Sequence, residues 1–285
     1  MRSDRDDLDP PTAAVTRAVA AALDEDVLPL GDITAGLVAA DATGARRFVA
    51  RGEGVLAGGA CAEEAFRQVD GSLTVTWAIR DGAGVVPGSV IGTVSGRYRS
   101  ILTGERTALN FLCHLSGVAT LTMQFVEVAA GKCLIADTRK TTPGLRALEK
   151  AAVRAGGGVN HRGSLSEGVL VKDNHLAGLS VADAVAVARR RWPGRMIEVE
   201  CDKAEQVTVA VEAGATVVML DNMSPEQVGE CVEIVRRLPG GERVLVEVSG
   251  GVSLENVYAY ASTGIDFVSV GALTHSAPAL DIGLD

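Results

Sequence analysis

The pattern of apolar and polar positions changes near Cys133. From there onward, short apolar runs alternate with segments of helical periodicity. The apolar runs are CLIAD, GVLVKD, MIEVEC, VVMLDN, VLVEVSGG and FVSVGA, and the helical segments include LRALEKAAVRAG, VADAVAVARRRW, KAEQVTVAVEAG, SPEQVGECVEIVRRL and LENVYAYAST. Continuous apolar strands joined by helices are typical of a parallel sheet that is covered on both faces.

The predicted strands end in polar or small residues, which are Asp137, Lys172, Glu200, Asp221, Ser249 and Gly271. In α/β barrels, several strands contribute chemistry at their carboxyl ends. Six strands are fewer than the eight of a full barrel, so we predict an incomplete α/β barrel. A doubly wound open sheet is the alternative, but its first turn would be expected to carry GxGxxG, and DTRKTTPG does not.

The first part of the chain has a different pattern. A helix is predicted for Thr12–Glu25, followed by the turn LGDIT. Short β-rich pieces then run from Ala45 to Gly96, separated by glycine turns and interrupted by the helix-like run CAEEAFRQV. A long apolar helix is predicted from about Thr103 to Ala130. We therefore expect an N-terminal α+β sandwich-like domain over residues 1–115 and the barrel over residues 116–276, with a tail at about 277–285 that packs on the first domain.

Composition describes a soluble globular protein, with 47% hydrophobic and 22% charged residues in 285. No run of about 18 apolar residues is present, so no membrane partner is expected. The start of the chain, MRSDRDDLDPP, lacks an apolar signal core, and the five cysteines form no CxxC pair. These features predict reduced thiols and a cytoplasmic location.

The charge pattern indicates a small anionic ligand. The net charge is −9, yet the stretch from Asp137 to His175 holds seven basic residues and two histidines. They are Arg139, Lys140, Arg146, Lys150, Arg154, Arg162, Lys172, His161 and His175. A local cationic cluster in an acidic protein favours a site for a small anion over a nucleic-acid surface.

The strand ends supply further candidates. Ser249–Gly251 and Val270–Ala272 resemble a phosphate-binding pair of loops, although tight turns alone would also explain these glycines. Glu200 and Asp221 are suited to a divalent metal, to ribose hydroxyls or to a cationic transition state, with plain ion pairing as the alternative. Asn222 suits helix capping and substrate contact equally well.

The cationic residues divide by their geometry. Arg139, Arg162 and His161 offer planar donors for carboxylates, whereas Lys140 and Lys172 offer point charges for phosphate or pyrophosphate. We expect Arg146, Lys150 and Arg154 to form a solvated helix face, Glu198 to point away from Glu200, and His114 to be a core histidine. The residues alone therefore predict a barrel enzyme that binds a phosphorylated sugar and a small polyanion.

One long segment carries a family resemblance. DTRKTTPGLRALEKAAVRAGGGVNHRGSLSEGVLVKDNH resembles the central signature of the quinolinate phosphoribosyltransferases, also called carboxylating nicotinate-nucleotide pyrophosphorylases. The similarity extends to GDIT, GERTALNFLCHLSG, IEVECD, VMLDNM and VEVSGGV, and so covers about Leu30 to Ser276. It implies a type II phosphoribosyltransferase fold, in which the sandwich-like domain of one subunit covers the barrel mouth of the other.

The resemblance also implies a reaction. A pentosyltransferase of this family moves phosphoribosyl from 5-phosphoribosyl 1-pyrophosphate to quinolinate, releasing carbon dioxide and pyrophosphate and giving nicotinate mononucleotide for NAD synthesis. Mg²⁺ accompanies the diphosphate donor, mainly through its pyrophosphate, with Glu200 and Asp221 as candidate ligands. The expected assembly is a homodimer or higher homo-oligomer with shared sites.

The residues divide between the two substrates. The resemblance implies that quinolinate is bound by Arg106 from the partner subunit together with Thr138, Arg139, Lys140, His161, Arg162 and Lys172. Phosphoribosyl pyrophosphate is bound by Lys140, Lys172, Glu200, Asp221, Ser249, Gly250, Gly251, Val270, Gly271 and Ala272. The catalytic set is Lys140, Lys172, Glu200 and Asp221. Two alternatives remain: a related enzyme acting on another acceptor such as nicotinate or a molybdenum-related compound, and a regulatory binding protein without catalysis.

Overall fold

The structure is a computed structural model that describes residues 8–285. The charged stretch at the start of the chain, on which the prediction of a cytoplasmic protein partly rests, lies mostly outside these residues. The chain divides into two compact units. Unit 1 comprises the residues up to Met123 together with Lys140–Gly157 and Ala272–Asp285, and unit 2 comprises Gln124–Arg139 and Gly158–Gly271.

Unit 1 contains an antiparallel sheet with the strand order β12-β1-β5-β3. Its strands are β1 (Thr43–Ala50), β3 (Thr74–Trp77), β5 (Val90–Arg97) and β12 (Ile282–Leu284), and a two-stranded ribbon is formed by β2 (Gly54–Val55) and β4 (Gly84–Val85). Its helices are α1 (Thr12–Val27), α2 (Gly59–Val69), α4 (Arg146–Ala155), α10 (Ala272–His275) and most of α3 (Tyr98–Ala129). The predicted β-rich segment with an interrupting helix is therefore confirmed.

The core of unit 1 forms because β1 and β5 turn their apolar side chains to one face of the sheet. Phe48 of β1 is fully buried and packs edge-on against Phe66 of α2, with ring centroids 6.0 Å apart. The same ring stacks on Trp77 at 5.1 Å. The aromatic cluster packs α2 against the sheet. This packing explains why apolar and polar residues alternate along α2 and β1.

The long helix α3 begins five residues before the predicted start at Thr103 and ends within one residue of the predicted end. By length and composition alone it could cross a membrane, but half of its most apolar stretch is buried within the protein. A core helix of a globular protein has the same character.

Unit 2 is built on a six-stranded parallel sheet with the order β6-β11-β10-β9-β8-β7. The strands are β6 (Leu134–Ala136), β7 (Val169–Val171), β8 (Ile197–Cys201), β9 (Val217–Asp221), β10 (Leu245–Ser249) and β11 (Phe267–Ser269). The helices are α5 (Asp173–Leu176), α6 (Val181–Arg191), α7 (Ala204–Ala213), α8 (Pro225–Arg237) and α9 (Val257–Ala261). All six predicted strands are confirmed.

The strands of unit 2 are apolar in continuous runs because helices cover the outer face and side chains fill the inner face. In β9, Val217–Leu220 are all buried, and only Asp221 at the carboxyl end is partly exposed. The sheet also curls. Side chains from β8 and β10, which are two strands apart, both contact the imidazole of His161, and the segment before His161 pairs with the end of β6. This curvature is that of an α/β barrel with six strands.

Candidate active site

The carboxyl ends of the central strands bring oppositely charged side chains together. Lys172 directly follows β7, and its Nζ forms an ion pair with Oε2 of Glu200 near the end of β8. Both side chains line a cavity of about 430 Å³, together with Asp221 and Asn222 from the end of β9. The predicted convergence of Lys172, Glu200 and Asp221 at one mouth is therefore present in unit 2.

The Asp221–Asn222 turn is held by neighbouring backbone. Asn222 adopts a left-handed conformation with φ of 56°, and its backbone N–H donates to the carbonyl of Ser249 at 3.0 Å. Its side-chain Nδ2 donates to Asp221 Oδ2 at 2.6 Å. Ser224, and not Asn222, accepts the capping bond from Gln227 at the start of α8. Asn222 therefore orients the carboxylate of Asp221 toward the cavity.

Gly250 must be a glycine for two reasons that can be measured separately. Its φ is +88°, and a Cβ at this position would lie 2.2 Å from Oδ1 of Asn222. Gly251 also has a positive φ, of +63°, but a Cβ added there would have nothing within 4 Å. The close approach of Gly250 to Asn222 joins the end of β10 to the end of β9.

We expect Gly250→Ala to lower the melting temperature more than Gly251→Ala. Either alanine costs about 1–2 kcal/mol in the left-handed region, and the clash at Gly250 adds about 1–3 kcal/mol. Gly250→Ala should also raise KM for a phosphorylated substrate, because Asn222 must shift. Thermal unfolding of both variants is the measurement, and equal melting temperatures would show that the Asn222 contact carries no strain.

A buried carboxylate links β6 to the segment that follows α4. Asp137 is fully buried, and its Oδ1 accepts the backbone N–H of His161 at 2.9 Å. Its Oδ2 accepts from Nδ2 of Asn160 at 2.6 Å. The next residues, Thr138 and Arg139, are half-buried. Asp137 therefore fixes the relative positions of the two chain segments that carry Arg139 and Arg162.

His161 lies within unit 2 above two buried glutamates. Its side chain is 8% exposed, and Nε2 lies 3.1 Å from Oε2 of Glu198 and 3.3 Å from Oε2 of Glu247. The other ring nitrogen, Nδ1, accepts the backbone N–H of Arg162 at 2.9 Å. Both ring nitrogens therefore contact the protein.

The prediction that Glu198 points away from Glu200 is wrong. Side chains alternate along a strand with a period of two, so residues two apart share a face. Glu198 is fully buried beneath Glu200 and faces the same interior. The alternation rule, applied correctly to IEVEC, would have predicted Glu198 as an interior residue.

Arg162 lies in the electric field of these groups. Its Nη1 donates to the carbonyl of Gly168 at 3.0 Å, just before β7. Burial lowers the pKa of Arg162, the charges of Glu198 and Glu247 oppose this shift, and the charge of Arg139 adds to it. Arg139 and Arg162 are therefore neighbouring cations, which is the arrangement that two adjacent carboxylates on one ligand would neutralise.

The contacts between His161 and the two glutamates shift the pKa values of His161 and Glu247. Burial alone lowers the pKa of His161, but hydrogen bonding and charge from Glu198 and Glu247 raise it to about 10. Burial raises the pKa of Glu247 to about 7, the hydrogen bond from His161 opposes the rise, and the charge of Glu198 adds to it. Because Nδ1 accepts the backbone N–H of Arg162, Nε2 is the ring nitrogen that donates toward the two glutamates.

The two candidate phosphate loops follow β10 and β11. Ser249 ends β10 in register with Asp221, and Gly250 and Gly251 continue with positive φ. Val270 is buried, its N–H donates to the carbonyl of Ala136 at 2.9 Å, and Gly271 follows it. These turns supply consecutive backbone amides at neighbouring strand ends, as an anion site requires.

Arg106, Lys140 and Ala272 belong to unit 1. Arg106 is exposed on α3, and the carbonyl of Lys140 accepts from Oγ1 of Thr274 at 2.8 Å. The loop after Lys140 is held by buried Glu149, whose Oε2 accepts the N–H of Thr142 and whose Oε1 lies 2.9 Å from His114 Nε2. His114 is therefore hydrogen-bonded, although its side chain is 32% exposed.

The prediction of a solvated face on α4 is wrong for Lys150, which is 7% exposed. Arg146 donates to Oγ1 of Thr141, and Arg154 donates to the carbonyl of Asp9, so these side chains also contact the protein. A charged helix pattern does not distinguish solvent from neighbouring polar backbone. The sequence also indicated no site role for Asp137 and Glu247, because their burial and contacts are visible only once the sheet is folded.

The parallel sheet with charged residues at its carboxyl ends defines an α/β-barrel enzyme that acts on small anionic molecules. Family models for the quinolinate phosphoribosyl transferase N-terminal and C-terminal domains match residues 32–116 and 118–285. This chain therefore belongs to the quinolinate phosphoribosyltransferase family.

Individual relatives agree along most of the chain. A nicotinate-nucleotide pyrophosphorylase [carboxylating] of Mycobacterium leprae is 47% identical and covers 84% of each sequence. Quinolinate phosphoribosyltransferase [decarboxylating] 1b of Nicotiana tabacum is 38% identical over 96% of this chain and 83% of its own length. The solved nicotinate-nucleotide pyrophosphorylase of Francisella tularensis superposes with a TM-score of 0.91 at 40% identity, covering 97% of both chains. The predicted fold and family are thus confirmed.

Proposed function

We propose that this chain transfers the phosphoribosyl group of 5-phosphoribosyl 1-pyrophosphate to quinolinate, with loss of the 2-carboxylate as carbon dioxide. The products are nicotinate mononucleotide, carbon dioxide and pyrophosphate, in NAD biosynthesis. The observation that supports this reaction best is the pair of neighbouring cations, Arg139 and Arg162, in a barrel whose mouth also carries Lys172, Glu200 and Asp221. A dicarboxylate acceptor and a polyanionic donor are the ligands that such a set would recognise.

The acceptor is held by guanidinium groups. Arg139 and Arg162 would bind its two adjacent carboxylates, with Thr138 and the backbone near His161 beside them and Arg106 supplied by the partner subunit. One carboxylate can accept two parallel N–H bonds from an arginine, which fixes the plane of the ring. That orientation would point the ring nitrogen toward C1 of the ribose.

The donor is held at the strand ends. The turns Ser249–Gly251 and Val270–Ala272 would bind the 5-phosphate through backbone amides, and Lys140 and Lys172 would bind the pyrophosphate. Glu200 and Asp221 line one cavity, where their carboxylates would anchor the ribose hydroxyls and stabilise positive charge at C1. The Lys172–Glu200 ion pair would then exchange partners when the pyrophosphate arrives.

The chemistry needs two bond exchanges. The ring nitrogen donates its lone pair to C1 and forms the new N–C1 bond. The C1–oxygen bond breaks, and pyrophosphate leaves with the electron pair of that bond. The bond from C2 to its carboxylate then breaks, carbon dioxide leaves, and the electron pair stays on C2 beside the cationic nitrogen. A proton from water completes C2. The protein's part is to orient both substrates and to neutralise their charge.

We propose Mg²⁺ as the accompanying metal. The donor set fits it, because Glu200 and Asp221 present carboxylate oxygens to the same cavity and Mg²⁺ prefers oxygen ligands shared with a substrate phosphate. When bound, the ion would neutralise negative charge on the departing pyrophosphate. Removal of Mg²⁺ with a chelator should abolish turnover and leave the melting temperature of the free protein unchanged.

We also propose that the enzyme is a homodimer with shared sites and that it works in the cytoplasm. The stretch before β1 supports a subunit contact, because four large apolar side chains in it are exposed: Leu28 at 65%, Leu30 at 82%, Ile33 at 74% and Leu37 at 87%. An exposed apolar stretch of this kind is typical of an interface between protein chains. Light scattering of the purified protein tests the dimer, and cell fractionation tests the location.

The test of the reaction compares two acceptors. Purified protein with phosphoribosyl pyrophosphate and Mg²⁺ is expected to form nicotinate mononucleotide from quinolinate and to release an equal amount of carbon dioxide. Nicotinate, which has a single carboxylate, should give no product above background. Product from nicotinate would establish the non-decarboxylating activity instead, and no product from either acceptor with folded protein would refute the proposal.

A further inference from the structure

Two interior glutamates contact His161 from beneath. Glu198 on β8 and Glu247 on β10 are fully buried, and both present Oε2 to Nε2 of His161, at 3.1 Å and 3.3 Å. Neither residue lines the cavity that holds Lys172, Glu200 and Asp221. They are therefore placed to act on the site through other side chains.

Some carboxylate oxygens of the two glutamates have no hydrogen-bond donor among the described residues. Within residues 8–285, Oε1 of Glu198 and Oε1 of Glu247 lack hydrogen-bond partners. A buried carboxylate oxygen without a donor has lost its hydration and gained no hydrogen bond in return. Apolar residues would avoid this cost, so we expect the two carboxylates to have a role that apolar residues could not fill.

The imidazole has one orientation that satisfies both of its nitrogens. Nδ1 accepts the backbone N–H of Arg162, which leaves Nε2 as the donor to the glutamates. Without acceptors below Nε2, the ring would be free to turn, and the N–H of Arg162 would lose its partner. The glutamates thus fix the backbone of Arg162 through the ring of His161.

A second connection is electrostatic. The charges of Glu198 and Glu247 favour the cationic form of Arg162, whereas the charge of Arg139 disfavours it. Two neighbouring guanidinium groups repel each other, and the buried carboxylates offset this repulsion before an anionic ligand arrives. The same four charges therefore determine whether Arg139 and Arg162 can lie side by side in the free enzyme.

We infer that Glu198 and Glu247 are positioning residues for the acceptor carboxylates: they hold the His161 ring through Nε2–H and so fix Arg162 beside Arg139. This inference rests on the proposed function for its kinetic consequence. It predicts that the glutamates determine the affinity for quinolinate and leave the phosphoribosyl pyrophosphate subsite unchanged.

The experiment compares an isosteric acceptor with an apolar replacement at the same position. Glu247→Gln keeps an oxygen that can accept from Nε2–H, whereas Glu247→Leu removes one of the two acceptors and leaves Oε2 of Glu198 at 3.1 Å. We expect Glu247→Leu to raise KM for quinolinate about tenfold, the size of a lost hydrogen bond to a charged group. Glu247→Gln keeps the acceptor but loses the negative charge, so its KM for quinolinate should lie between those of the wild type and Glu247→Leu. The same pair of substitutions at Glu198 is expected to behave in the same way.

Two readouts separate positioning from a general loss of structure. KM for phosphoribosyl pyrophosphate should change less than about twofold in every variant, because neither glutamate lines the cavity of Lys172, Glu200 and Asp221. In nitrogen-15 spectra of histidine side chains, the Nε2–H of His161 should exchange at similar rates in the wild type and in Glu247→Gln, and faster in Glu247→Leu, where Glu198 alone still accepts. His161→Asn identifies that resonance among the four histidines.

Three outcomes would overturn the inference. They are an unchanged quinolinate KM in Glu247→Leu, an equal rise in both KM values, and one equivalent of tightly bound metal per chain, since His161, Glu198 and Glu247 are close enough to ligate an ion. The exchange rate of His161 Nε2–H needs no turnover. A wild-type enzyme without activity on quinolinate would therefore refute the proposed function while the spectra still test the positioning.

Discussion

Replacing Lys172 by alanine is expected to lower kcat by about 10²–10³-fold, the range seen when one preorganised electrostatic contact to a reacting group is lost. Lys172 follows β7 and forms the ion pair with Glu200 at the mouth of the barrel. Its loss removes a cation for the departing pyrophosphate and leaves the carboxylate of Glu200 without its partner. The loss of the cation raises the barrier, because negative charge on the leaving group then lies uncompensated.

A matched control is available within unit 2. Lys132 precedes β6 and is exposed, so it lies at the opposite end of the strands from Lys172. Lys132→Ala makes the same change in net charge but should leave kcat within about twofold of the wild type. Lys172→Arg keeps the positive charge but replaces the compact ammonium by a guanidinium. Its kcat is expected to lie between those of Lys172→Ala and Lys132→Ala.

Steady-state kinetics with both substrates varied is the measurement. A loss confined to KM for quinolinate would move Lys172 from the pyrophosphate to the acceptor. A Lys172→Ala enzyme with normal kcat would contradict the assignment altogether. Circular dichroism and thermal unfolding test whether each variant is folded. Because Lys172 is partly exposed, we expect the melting temperature of the Lys172→Ala protein to change little.

The sheet of unit 2 could be predicted because its information is local. Six runs of apolar residues at regular spacing specify parallel strands, and each run ends where a polar residue begins. Lys172, Glu200 and Asp221 were found by the same logic, since carboxyl ends of parallel strands meet at one edge. The long central signature added the family.

The interior of the barrel could not be predicted in the same way. Glu247 lies in the apolar run VLVEVSGG, and nothing within that run shows that its carboxylate meets Glu198 and His161 across the sheet. Such contacts depend on the curvature of the sheet and on the path of the segment after α4. Lys150 was misjudged for a related reason, because the helical period locates a face but not the neighbours that cover it.

Mixing two inactive variants is expected to restore activity if sites are shared between subunits. Arg106 is exposed on α3, and the next three residues, Thr107–Leu109, are buried, so its guanidinium extends from the surface of unit 1. Arg106→Ala and Lys172→Ala should each lose most of their turnover as homodimers. In a heterodimer of the two, one site carries both substitutions and the other carries neither.

The expected recovery follows from this arrangement. An equal mixture with free subunit exchange contains about half heterodimers, each with one intact site, so activity should reach about a quarter of the wild type. If Arg106 instead acted within its own chain, every site in the heterodimer would contain one substitution and activity would stay at the level of the parents. Heterodimers purified through two different tags remove any doubt about exchange and should show about half of the wild-type activity per dimer. Fully exchanged heterodimers as inactive as their parents would contradict the shared site, and a monomer in light scattering would contradict the dimer itself.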